Sequence, residues 1–205
     1  MSGDIRIKYP LALTEAVALL ECLAPACEKA SLAGSIRRQA ITAGDIELVL
    51  SPILGRNLFN ESLIGCYPAL DDRIAYLIQL GRLEYDIDVK RDGPKYKRFI
   101  SPGLSIPVEV FIAEPGNYGN ILAIRTGDSD FSKALVTAVN WGGLMPGKYQ
   151  QYEGYLIERD TKKRIECPEE SDFFKALGIT WPEPPIRGGA LAAMINNMLK
   201  EREAT

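Results

Sequence analysis

Two short runs constrain this chain more than any other feature. Asp45-Ile46-Glu47-Leu48-Val49-Leu50 alternates acid and aliphatic before becoming wholly apolar. Ile106-Pro107-Val108-Glu109-Val110-Phe111-Ile112 sets one acid inside a strongly apolar stretch. Alternation with period two is the pattern of a strand. Residues two apart share a face, so Asp45 and Glu47 stand roughly 7 Å apart by Cα on one surface, with side chains able to converge on one metal. Glu109, flanked by so many apolar residues, is costly unless it is solvated, paired or metal-bound.

The remaining pattern predicts helices alternating with strands. Residues 11–30 repeat apolar positions at helical spacing (Leu13, Ala16, Val17, Leu20, Leu23, Ala24), with Pro25 bending or ending the run. Residues 31–35 read as a strand entering a turn, 54–67 as loop, and 70–81 as a helix closed by Gly81. Residues 85–89 and 95–100 alternate on either side of a turn at 91–94 and form a hairpin. Residues 117–127 read as short strand or turn, 130–139 as helix, 155–157 and 164–165 as a hairpin, and 169–177 as a short helix ended by Gly178. A terminal amphipathic helix covers 190–203. Lys95, Lys97 and Arg98 read as solvated charge, and Trp141 and Trp181 as packing residues.

Composition narrows the chemistry. The 205 residues include no histidine, which excludes Ser-His-Asp and Cys-His catalysis, His-ligated zinc and His general bases. The net charge of -3 runs against a duplex-gripping surface, which ordinarily carries a basic excess. The four cysteines form no Cys-x-x-Cys pair, so cytosolic thiols and a cytoplasmic protein are expected. No apolar run of membrane length and no secretory leader are read, so no membrane partner is expected.

Gly34-Ser35-Ile36-Arg37-Arg38 supplies backbone amides, a hydroxyl and two guanidinium groups in one turn, a combination suited to a triphosphate. With Asp45, Glu47 and Glu109 it fits a scheme in which divalent ions bridge carboxylates and substrate phosphates. Gly34-Ser35-x-Arg37-Arg38 followed by Gly44-Asp45-Ile46-Glu47 resembles the signature of family X DNA polymerases, the polymerase beta type, within the nucleotidyltransferase superfamily. Val108-Glu109-Val110-Phe111 is similar to the strand carrying that family's third acid. Residues 118–127 with Asp130-Phe131-Ser132-Lys133 are similar to its nucleotide-pocket segment. Residues 169–178 with Trp181, Pro182, Pro184-Pro185 and Arg187 are similar to its closing motif.

The resemblance implies an α+β fold. A nucleotidyltransferase palm with a mixed, mainly antiparallel sheet would span 1–124, and a small thumb-like subdomain 125–205. It implies Mg²⁺ (or Mn²⁺) bound by Asp45, Glu47 and Glu109, and a nucleoside triphosphate held by Gly34, Ser35 and Arg38. Thr126 and Gly127 would line the sugar, Ser132 would face the base edge, and Lys133 would lie near the templating base. DNA primer/template, bound weakly or with help, is the implied partner, and DNA repair the implied setting. Two of the family's three aspartates are glutamates here, Gln39 stands where a glycine is usual, and the chain begins just before the signature, without room for the family's lyase and fingers modules. A minimal, phage- or virus-type enzyme suits that pattern. Nucleotidyl transfer to a protein, tRNA or small molecule, or an inactive nucleotide-binding palm, are the alternatives.

Overall fold

The structure is a computed structural model and describes residues 5–54, 68–86 and 92–203. The chain divides into two compact units, Met1–Glu114 and Pro115–Thr205. The sequence reading draws its boundary between 124 and 125.

The first unit is built on strands β1 (Ile7–Lys8), β2 (Cys27–Leu32), β3 (Thr42–Ala43), β4 (Ile46–Pro52), β5 (Glu84–Tyr85), β6 (Tyr96–Ser101) and β7 (Ile106–Ile112). Helices α1 (Tyr9–Leu23), α2 (Gly34–Arg37) and α3 (Pro68–Gln79) accompany them. β1 and β3 form a small antiparallel pair. The main sheet has the order β2-β4-β7-β6-β5. Its β4–β7 pair is parallel and its other neighbours are antiparallel, so the sheet is mixed and mainly antiparallel, as predicted. A parallel pair needs a long crossover, and the chain between β4 and β7 includes α3.

The two faces of this sheet differ. Ile46, Leu48 and Leu50 of β4, Val108, Val110 and Ile112 of β7, and Phe99 of β6 belong to one buried core. Ala12, Ala16, Leu19 and Leu23 of α1 and Leu70, Ile74 and Leu77 of α3 complete it. Since side chains alternate along a strand, Glu47, Glu109 and Arg98 project from the opposite face. Tyr9–Ala26 is apolar and long enough by composition to cross a membrane, contrary to the sequence reading. In the structure its 12, 16, 19 and 23 positions line the core, while Leu11 and Val17 are exposed.

The second unit contains α4 (Tyr118–Thr126), α5 (Ser129–Val136), β8 (Tyr149–Tyr152), β9 (Tyr155–Glu158), β10 (Arg164–Ile165), α6 (Glu170–Ala176) and α7 (Gly189–Glu203). Its antiparallel sheet has the order β10-β9-β8. Phe131, Leu135, Leu144, Leu156, Phe173 and Phe174 centre its own core.

Three local expectations are corrected. The predicted helix over 11–30 ends at Leu23, and 27–32 is strand β2: local helix propensity yields to pairing with β4. Residues 117–127 form helix α4 rather than strand or turn, with Tyr118, Gly119, Leu122, Ala123 and Thr126 buried. Trp141 does not pack; it is 80% exposed. The predicted hairpin is present as β5 with β6, although 87–91 lie outside the described residues, as do 55–67 of the predicted loop.

Candidate functional site

The site face of the first unit is assembled by β-sheet register. Glu47 of β4 lies directly opposite Glu109 of β7. Asp45 immediately precedes β4 and shares the face of Glu47. Burial and then the Glu109 charge raise the Asp45 carboxyl above its ordinary value, while Arg6, Arg98 and Arg38 pull it back down. Asp45 therefore lies within electrostatic reach of one carboxylate and three guanidinium groups.

The turn at 34–38 abuts this face. The Ala33 amide donates to the Glu47 carbonyl at 2.8 Å, tying the turn to β4. Gly34 has φ +60°, and a Cβ built on it would lie 1.8 Å from Glu47 Oε2. Only glycine supplies both the left-handed backbone and the space that the carboxylate fills. The adjacent Ser35 Oγ is buried with no hydrogen-bond partner. A buried hydroxyl left in that condition is costly, and a ligand oxygen would satisfy it. Arg38, half-buried, ends α2.

Glu109 is engaged by its neighbours on β6. Arg98, its register partner, donates from Nη1 to Glu109 Oε1 at 2.8 Å and from Nε to Asp86 Oδ2 at 2.7 Å. Tyr96 donates its hydroxyl to Glu109 and receives a hydrogen bond from Arg98; burial first, and then Glu109, raise its phenol. Among the described residues, no three acids converge closely enough to hold a metal as the side chains stand. Glu47 Oε2 lies against Gly34, and Glu109 against Arg98. The donor set nevertheless suits a hard divalent cation: all oxygens, on one face, with mutual repulsion that such a cation would relieve.

Sequence reasoning missed Arg6, Asp86, Tyr96 and Arg98. Arg6 donates to Thr42 Oγ1 at 2.9 Å and to the Thr42 carbonyl at 3.0 Å, and a Cβ on Gly44 would lie 3.4 Å from its Nη1. The charges on β6 are not solvated as expected: Lys97 pairs with Asp71 and Asp92, and Arg98 with Asp86 and Glu109. Tyr96 and Arg98 sit two apart on an alternating strand, a signal that they share a face but not that it is the face of Glu109.

The other predicted residues belong to the second unit. The Thr126 hydroxyl donates to the Leu122 carbonyl at 2.7 Å and the Ser132 hydroxyl to the Ile124 carbonyl at 2.6 Å. A Cβ on Gly127 would come within 2.8 Å of both Phe131 and Ser132, so the chain passes α5 too closely for a larger residue. Lys133 is exposed on α5.

Solved structures share this architecture. A ternary P/T complex of Leishmania infantum polymerase beta superposes with a TM-score of 0.67 at 19% identity, covering 90% of this chain and 78% of that one. The fold is polymerase beta-like. A ternary gap complex of Leishmania infantum polymerase beta gives 0.66 at 19% identity, covering 90% of this chain and 72% of that chain. No protein-family profile and no curated protein matches the sequence. The polymerase beta-like fold agrees with the α+β nucleotidyltransferase architecture that the signature implies.

Proposed function

We propose that this chain is a divalent-metal-dependent nucleotidyltransferase, a polymerase beta-like enzyme that adds nucleotides from a dNTP to a DNA 3′ end. The observation that carries this reading is the register: Glu47 opposite Glu109, with Asp45 beside them and an unsatisfied Ser35 hydroxyl in the adjoining turn. Support also comes from the likeness to a polymerase beta whose solved complexes are ternary.

In this reading Asp45, Glu47 and Glu109 hold Mg²⁺ or Mn²⁺, and Gly34, Ser35 and Arg38 hold the triphosphate. The bound ions supply neutralisation of the acceptor oxygen and of the departing pyrophosphate. Ser35 Oγ donates to a phosphate oxygen, and Arg38 balances the remaining phosphate charge. Gly34 keeps the backbone low enough for Glu47 to lie under the turn. Positioning and electrostatics account for most of the acceleration in this class of reaction, which agrees with a chain that has no histidine.

The test is primer extension with and without template, in Mg²⁺ and in Mn²⁺, comparing wild type with Asp45→Ala. Template-directed, metal-dependent extension lost in the variant is expected; equal extension by both rejects the assignment. A second reading, transfer to a protein, tRNA or small molecule, is favoured by the net charge of -3. Nucleotide incorporation with no nucleic acid present would select it.

A further inference from the structure

Glu109 carries more than the sheet position demands. Arg98 stands opposite it across β6 and β7 and takes Oε1 through Nη1 at 2.8 Å. The same guanidinium is held from its other side by Asp86 at 2.7 Å, and Asp86 is only 8% exposed. Tyr96, two residues before Arg98 on the same strand, adds a hydroxyl to the same carboxylate. Directly opposite strand neighbours have Cβ atoms about 4.5–5.5 Å apart, so a glutamate, one methylene longer than an aspartate, reaches across readily.

Resting on the function proposed above, we propose that Arg98 is a latch on the third carboxylate. Its guanidinium occupies Glu109 in the resting chain, and a divalent cation binds there only by displacing it. A unit positive charge within hydrogen-bond distance of a ligand oxygen repels an incoming cation, and the half-buried setting strengthens that repulsion relative to water. Asp86 makes the exchange feasible. On release from Glu109, Arg98 keeps its second carboxylate, so one charge-assisted contact is given up rather than two. Asp86 thus fixes where the guanidinium stands when the latch is open. Arg98 is accordingly a positioning residue that acts through Glu109.

The discriminating measurement is Mn²⁺ binding to the full chain by electron paramagnetic resonance, read alongside thermal melting. Arg98→Met together with Asp86→Asn removes the cation and the second carboxylate that holds it, and leaves Glu109 as the one charge of the trio, open to an incoming cation. Mn²⁺ affinity in this double variant is expected to rise at least tenfold, an outcome that a merely structural role of Arg98 would not give. Arg98→Lys, which keeps the charge but cannot bridge both acids with a planar fork, is expected to give a smaller rise and serves if the double variant fails to fold. With Glu109→Gln added, the latch has nothing to hold, and the gain should shrink below threefold. Equal or weaker Mn²⁺ binding in the folded Arg98 variants overturns the latch while leaving the proposed function in place. Absence of Mn²⁺ binding in wild type and variants alike overturns the metal site and the latch together. Primer extension by wild type reads the proposed function separately.

Discussion

Gln39 has φ +58°, a backbone conformation in which its Cβ crowds the following carbonyl oxygen. The geometry is imposed by the turn: the Gln39 amide bonds the Ile36 carbonyl at 3.0 Å and the Ala40 amide bonds that of Ser35, also at 3.0 Å. Gln39→Gly removes the strain and loses part of the gain to unfolded-state entropy. A net stabilisation of about 0.5–1 kcal/mol is expected, seen as a higher urea midpoint at unchanged slope. Asp45 carries the opposite kind of cost. Its carboxyl is raised from 3.8, so between that value and the folded one the native chain holds a proton that the unfolded chain has lost. Stability falls as pH rises through this window and stays lower at neutral pH. Asp45→Asn should therefore raise the melting temperature at neutral pH, with the difference vanishing as pH falls below about 3.8. Nucleotidyl transfer should be lost in the same variant. Glu47 and Glu109 were legible as acids on strands, and Asp45 as the acid sharing the face of Glu47 one residue ahead of β4, because alternation reports the face of a residue. Arg98 was not, since its partnership depends on which strand lies beside β7, and strand order leaves no mark in the spacing of β6.

The elements that position the site differ in how plainly the sequence announces them. β4 and β7 are read directly because their apolar residues alternate with acids and belong to a core that includes α1 and α3. β2 is hidden, since Cys27-Glu28-Lys29-Ala30 reads as helix locally and becomes strand only by pairing with β4. Helix α4 is hidden for the reverse reason: two glycines flank a short apolar stretch from 119 to 127, and burial rather than propensity stabilises it. One of those glycines is required by packing, because a Cβ on Gly119 would lie 2.0 Å from the Glu169 backbone. Gly34 in the short helix α2 is the position where element and site meet. Gly34→Ala adds about 1–2 kcal/mol of left-handed strain. It also puts a methyl where Glu47 Oε2 now lies, 1.8 Å from the built Cβ. The expected result is a destabilisation of about that size in chemical denaturation. Metal-dependent nucleotide binding in calorimetry should be lost as well, since Glu47 must leave the turn.

At the scale of the whole chain, the two hydrophobic cores share no buried residue. One runs from Ala12 to Ile112 and the other from Ala123 to Ala192. The likeness to polymerase beta at 19% identity is therefore a likeness of backbone arrangement, maintained by two independent sets of apolar positions. Beside its apolar core the second unit holds a buried ion pair, legible in sequence only as the end of a motif. Arg187, fully buried, donates to Glu170 Oε1 at 2.6 Å and Oε2 at 3.1 Å, and to the Pro182 carbonyl at 3.0 Å. Trp181 adds its indole N–H to Glu170 at 3.1 Å, and the guanidinium lies 5.1 Å from the Phe174 ring centroid. Arg187→Ala leaves the Glu170 carboxylate buried without its cation, a cost of about 3–5 kcal/mol. Adding Glu170→Gln should restore part of the loss, because the stranded charge is then gone. Since the cores are distinct, hydrogen exchange should show lost protection in α4, α5 and α6 while amides of β4 and β7 keep theirs. Uniform loss across both units would show instead that the chain unfolds as one cooperative body.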